Sequence, residues 1–166
     1  MERVRVPYAR LPPWTRSVGV ASHGKRLFPD TARAMSQENV KAIERAIAAL
    51  NSGDIATVLG LCHPDVVYDN TNAVFDAAVY HGHEGLVEFF SLGQEMWESQ
   101  TYELEELIPV GDDRVMVPQR IVSVGRDGVE TIARNTNVYT LNEGKATKIE
   151  SFQTKADALE AVGLSE

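Results

Sequence analysis

The chain has 166 residues, 43% of them hydrophobic, with a net charge of −8. That length suits one domain with one core, the acidic balance disfavours nucleic acid as a partner because phosphate repels it, and no apolar run approaches the roughly 20 residues of a membrane helix. The single cysteine, Cys62, excludes an intramolecular disulfide and a cysteine-based metal site, and it points to a reducing, cytoplasmic setting.

The charge is uneven: residues 1–34 carry +5 and residues 35–166 carry −13. Val4 to Asp30 is rich in Arg, Pro, Gly and Ser and has no helical or strand period. Pro7, Pro12, Pro13 and Pro29 would interrupt any element there. Residues 1–34 therefore read as a disordered basic extension, or as translation from a start upstream of Met35. An Arg-rich, acid-poor leader is also similar to an organelle transit peptide. The domain proper is residues 35–166.

Val40, Ile43, Ile47 and Leu50 recur at helical spacing and predict an amphipathic helix over residues 36–51. Gly53 ends it, and Asp54 caps a second, short helix through Leu61. Pro64 stops that helix, and Val66 to Thr71 is β-branched and aromatic, hence a strand. A loop to about Ala78 leads to a third helix, residues 83–98, with Leu86, Phe89, Phe90, Gly93 and Trp97 on one face. Residues 100–110, 114–125, 129–141 and 145–153 then read as four strands joined by Gly- and Asp-rich turns. A short helix opened by Thr154 and Asp157 closes the chain. Helices on one side of an antiparallel sheet define an α+β domain. A sheet this long curls, and curling around the first and third helices leaves a cone with a pocket at its mouth.

The runs Ala49-Leu-Asn51-Ser-Gly53-Asp54, His63-Pro-Asp65-Val-Val-Tyr-Asp69, Tyr80-His-Gly82-His-Glu-Gly85-Leu-Val-Glu-Phe-Phe90, Val138-Tyr-Thr-Leu-Asn-Glu-Gly144-Lys145 and Ala156-Asp-Ala-Leu-Glu-Ala-Val-Gly163 carry a resemblance. In this order and spacing they resemble the nuclear transport factor 2-like superfamily, most of all its SnoaL-like branch with the polyketide cyclases, and less the ketosteroid isomerases. The resemblance spans about residues 36–163. It implies a cone-shaped α+β roll, a mostly antiparallel curved sheet around N-terminal helices, a small-molecule pocket, and a homodimer through the outer sheet face. It does not name a reaction, because this fold hosts enzymes, binders and assembly domains.

Ketosteroid isomerisation needs a carboxylate base and an oxyanion hole made by a tyrosine and a protonated aspartate. Aligned on Asn51-Ser-Gly-Asp54, the tyrosine position falls on Ala46, the base on Asn70 and the second acid on Thr136. All three groups are missing, although a shift of one residue would place Asp69 at the base.

Tyr68 and Asn70 share one face of the first strand and, by the resemblance, look into the cone, where a hydroxyl and an amide would orient a polar ligand or simply form its wall. Asp69 is a candidate base, or a solvated strand-end carboxylate. Arg120 sits mid-strand with Met116, Pro118 and Val122; facing the cavity, it would bind a carboxylate or enolate oxygen. The competing face, Val115, Val117, Gln119 and Ile121, is more apolar and has its own claim to the interior. Thr136 competes in the same way with Asn137. Glu150 is a further acid/base candidate, in a pair with Arg120 or in a plain surface pairing. Trp97 is core, or a cover for an apolar ligand. His81-Gly82-His83 has a metal-ligand spacing, but no third ligand is evident, so no metal is assigned, nor any cofactor.

Three functions follow. One is an acid/base enzyme (cyclase, isomerase or hydratase) acting on a hydrophobic, oxygenated metabolite. The second is a non-catalytic ligand-binding module, and the third a dimerisation domain with a filled cone. Asn70→Leu is expected to change ligand affinity with little loss of stability.

Overall fold

The structure, a computed structural model, describes residues 27–73 and 76–164. Residues 1–26, most of the expected extension, lie outside the described residues. The first helix, α1, runs Leu27–Asn51, nine residues further back than the apolar stripe alone indicates. Pro29 is compatible with this because it falls in the first turn, where backbone N–H groups have no intrahelical partner anyway. The helix α2 (Ile55–Gly60) follows, capped by Asp54, whose carboxylate accepts the Thr57 N–H at 3.1 Å and the Thr57 hydroxyl at 2.6 Å.

The sheet has seven strands: β1 (Cys62–Asp69), β2 (Val79–His81), β3 (Ser99–Leu104), β4 (Ile108–Val110), β5 (Arg114–Val124), β6 (Glu130–Asn142) and β7 (Lys145–Phe152). The helix α3 (Gly82–Met96) lies between β2 and β3, and α4 (Lys155–Ala161) closes the chain. The strand order is β2-β1-β7-β6-β5-β3, with β4 pairing the start of β5; only β1 and β7 run parallel. The sheet is curved and does not close, with the helices on its N-terminal side, which is the α+β cone expected.

Three local features differ from the sequence reading. The first strand begins at Cys62, because Pro64 sits in a bulge: the pairing with β7 jumps between Cys62 and Val67, so no ladder N–H is asked of the proline. The short β2 lies between the loop expected to end at about Ala78 and the third helix, where no strand was expected, and pairs Tyr80 with Tyr68. The predicted strand 100–110 is two strands, both on β5, separated by Glu105, Glu106 and Leu107.

The stripe Val40, Ile43, Ile47 of α1 packs with Val115, Val117, Tyr139 and Leu141 of the sheet. The end of α1 is tied to β3 by Asn51, whose side chain donates to the Tyr102 carbonyl and accepts the Tyr102 N–H, both at 2.8 Å. Gly53 (φ 77°) supplies the left-handed residue that turns the chain into α2. A second cluster joins Val66, Tyr68 and Tyr80 to Leu86, Phe89 and Phe90 of α3. Gly85 permits that approach, since a Cβ there would lie 3.0 Å from the Tyr80 backbone. A third cluster sits on the outer face, where Ala158 and Leu159 of α4 cover Ile108, Met116 and Val138.

Candidate functional site

Between the concave face of the sheet, α1 and α3 lies a cavity of about 940 Å³. Its walls follow from strand alternation. Gln119, Ile121 and Ser123 of β5 face it, as do Asn135, Asn137 and Tyr139 of β6, Ile149 and Ser151 of β7, Tyr68 of β1 and Asn70 just past the end of β1. Exposure falls along the inward side of β6, from exposed Thr131 and Ala133 through half-buried Asn135 to buried Asn137, Tyr139 and Leu141. The mouth is therefore at the start of β6, beside Leu92, Met96 and Trp97 at the end of α3. The floor is apolar, formed by Leu141 and the α1 stripe.

Of the candidates drawn from the sequence, Tyr68, Asn70, Trp97 and Asn137 line the cavity. Four other candidates do not. Arg120 is on the opposite face of β5 and makes an ion pair with Glu103, its cross-strand partner, at 2.6 Å. The more apolar face, with Val115 and Val117 fully buried, took the interior instead. Thr136 is buried on the outer side of β6, next to the region that α4 covers, and its inward neighbours are Asn135 and Asn137. Glu150 pairs with Lys148 at 3.0 Å and so does not meet Arg120. Asp69 accepts the Thr71 hydroxyl at 2.6 Å and the Thr71 N–H at 3.0 Å. These bonds hold its carboxyl below the usual aspartate range, opposite to what a general base requires.

A polar band crosses the cavity at mid-depth. The Tyr68 hydroxyl donates to Asn70 Oδ1 (3.1 Å), and Asn70 Nδ2 donates to the Asp76 carbonyl (3.0 Å). Asn135 Nδ2 donates to Ser151 Oγ (3.0 Å), and Asn137 Nδ2 to the Tyr139 hydroxyl (3.3 Å). Burial raises the Tyr68 hydroxyl far above the ordinary tyrosine value and pushes Tyr139 and Tyr102 up to about 12. These phenols therefore stay neutral and serve as hydrogen-bonding groups. Among the described residues, the buried polar side chains are Asn39, Asn70, Gln119, Ser123, Thr136, Asn137 and Ser151, all uncharged. Asp76 lines the cavity at an exposed edge, and its carboxylate accepts the Tyr80 hydroxyl. Gln119, Asn135, Ser151 and Asp76 went unassigned in the sequence. The signal available for the first two was the run of polar amides on otherwise β-prone strands.

The histidines have local roles. His83 donates from Nε2 to the Cys62 carbonyl (3.0 Å), and His63 Nδ1 accepts the Asp65 N–H (3.0 Å). Cys62 is buried, which pushes its thiol up to about 11.

The hydrogen bonds also change the expectation for Asn70. Asn70→Leu would remove the Asn70 acceptor of the buried Tyr68 hydroxyl and free the Asp76 carbonyl. It is now expected to lower stability by about 1–3 kcal/mol, as well as to change ligand affinity. Chemical denaturation of the variant checks this, and an unchanged midpoint would mean that the two bonds carry no weight.

A curved, open sheet with helices over its concave face thus encloses a cavity, and the buried polar side chains around it are uncharged. The chain belongs to the SnoaL-like domain family, whose model matches residues 43–149. Among solved structures it is similar to TerC co-crystallised with polyporic acid, at 24% identity over 75% of this chain and 98% of that one, with a TM-score of 0.63. It is also similar to RV0760c from Mycobacterium tuberculosis in complex with estradiol-17beta-hemisuccinate, at 21% identity over 71% and 95% of the two chains, with a TM-score of 0.61. A third is an LEH-like epoxide hydrolase of M. tuberculosis, at 15% identity over 76% and 90%, with a TM-score of 0.60. Likeness at these identities shows the fold. No curated protein matches the chain. No helix among the described residues is long and apolar enough to cross a membrane.

Proposed function

We propose that this chain binds a hydrophobic, oxygenated small molecule in its cone and holds it by neutral hydrogen bonds, without ionised acid/base chemistry in the polar band. The carrying observation is that band itself: amides, a serine and high-pKa tyrosines line the interior, while Asp69, Arg120 and Glu150 sit elsewhere with their own partners. The volume fits a ligand of drug-like size, and the two ligand-bearing relatives hold molecules of that kind.

The pH dependence of binding tests this. The phenols of the band have values at or above about 12 and the amides do not titrate, so no group in it changes charge between about pH 6 and about pH 9. Affinity for any bound ligand that is itself neutral is expected to stay flat across that window, as read by calorimetry. A tenfold change there would place an ionising group against the ligand and defeat the proposal.

One observation favours a second reading, an acid/base enzyme: the Asp76 carboxylate at the cavity edge, hydrogen-bonded by Tyr80. If that reading holds, Asp76→Asn abolishes turnover of a bound ligand while preserving its affinity. The homodimer belongs to this proposal too. The outer sheet face carries the Arg120–Glu103 and Arg134–Glu105 pairs beside Ile132, which is 47% exposed. A sedimentation experiment showing only monomer at micromolar concentration would remove it. A reducing, cytoplasmic setting rests on the lone buried Cys62.

A further inference from the structure

Three acceptor oxygens in the polar band have no hydrogen-bond partner among the described residues: Gln119 Oε1, Asn135 Oδ1 and Asn137 Oδ1. Gln119 is only 2% exposed and Asn137 6%. Buried acceptors are nearly always satisfied in native proteins, and leaving one orphaned is costly. Three together, on one wall of a cavity, therefore point to a ligand rather than to packing.

Strand register places them side by side. Gln119 is directly opposite Asn135 across β5 and β6, and Asn137 is two residues further along the same face, opposite Ser151 of β7. Cross-strand neighbours stand about 5 Å apart. Three donors nearby are aimed elsewhere: Asn135 Nδ2 at Ser151, Asn137 Nδ2 at Tyr139, and the Tyr68 hydroxyl at Asn70. None of these bonds reaches the three oxygens.

On the binding reading above, we infer that the ligand of this cavity is a neutral molecule that donates hydrogen bonds from adjacent hydroxyl groups to Gln119, Asn135 and Asn137. An anion would bring further lone pairs against three that are already unpaired. Among the cavity-lining residues the cationic side chain is Arg134, 66% exposed and engaged with Glu105. An ammonium ion could satisfy the oxygens, but it would be desolvated beside a band that holds no buried carboxylate to balance it. A pair of neighbouring hydroxyls on an apolar frame meets both demands: its protons reach the amide oxygens, and its frame packs on Ile121, Phe89 and Ile149.

Calorimetry with four probes on one biphenyl frame tests this: phenylcatechol, its dimethyl ether, phenylbenzoate and phenylbenzylamine. Two hydrogen bonds made only by the catechol correspond to about tenfold or more in affinity, so phenylcatechol is expected to bind at least that much more tightly than each of the others. In the Gln119→Leu/Asn137→Leu variant the catechol should fall to the affinity of its ether, with the ether unchanged. Gln119→Leu alone removes an orphaned oxygen and provides a second, milder variant that should narrow the same gap. Equal binding of catechol and ether to the unmodified protein, or tightest binding of the carboxylate or the amine, overturns the inference and leaves the binding reading standing. If no probe binds, the binding reading itself fails, and this inference with it.

Discussion

Replacing Met116 with alanine is expected to lower stability by about 2–5 kcal/mol while leaving affinity for a cavity ligand unchanged. Met116 is completely buried, on the outer side of β5, under α4. Its side chain fills the space between Val138, Ile108 and Leu159. Truncation removes the transfer free energy of the lost atoms and leaves a void that strands fixed by ladder pairing cannot collapse to fill. Because Met116 faces away from the cone, the band of Gln119, Asn135 and Asn137 keeps its geometry. The denaturation midpoint should therefore move while the calorimetric affinity does not. A parallel loss of affinity would show that the two faces of the sheet are mechanically coupled, and that the cavity is shaped by the outer cluster as well as by α1 and α3. Total stabilities near 5–15 kcal/mol make such a loss a large fraction of the whole.

The same outer cluster explains which parts of the structure could be seen in the sequence. The stripe of α1, the turn through Gly53, the cap at Asp54 and the hairpins at Gly111, Gly128 and Gly144 are local features, and local pattern located them. Which side of β5 and β6 faces the cone is not local. Alternation separates Met116, Pro118, Arg120 from Val115, Val117, Gln119, but both sets include buried residues, because α4 covers one end of the outer face. Binary pattern cannot rank two covered faces, so Arg120 and Thr136 remained open as pocket candidates. Arg120 was settled by Glu103, a partner brought opposite it only by the β3–β5 register. β2 escaped notice because three residues are too few to show a period. The amide band was visible as odd strand composition, but its meaning comes from the orphaned oxygens, which exist only once four strands are aligned.

Asn137→Asp tests the neutrality of that band most severely. The substitution is nearly isosteric and puts a carboxylate 94% buried, on the 6% exposure of the asparagine, beside the unpaired oxygens of Gln119 and Asn135. Desolvation and neighbouring acceptors both disfavour the charged form, so the new carboxyl should titrate above its unfolded value of about 3.9. The sign follows. A carboxyl raised in the folded state binds its proton more tightly there, so folded and unfolded chains pay equally below about pH 3.9, and the folded state is penalised increasingly as pH rises toward the raised value. At neutral pH the full penalty applies. A rise of about two pH units corresponds to roughly 3 kcal/mol. The Tyr139 hydroxyl offsets part of this, because it can turn and donate to the new carboxylate where it now accepts from Asn137 Nδ2. Denaturation midpoints of variant and parent should therefore converge in acid and separate toward neutrality. If they stay together at neutral pH, the band is hydrated well enough to carry a charge, its lack of acids holds no functional message, and an acid/base role for Asp76 at the cavity edge becomes the stronger reading.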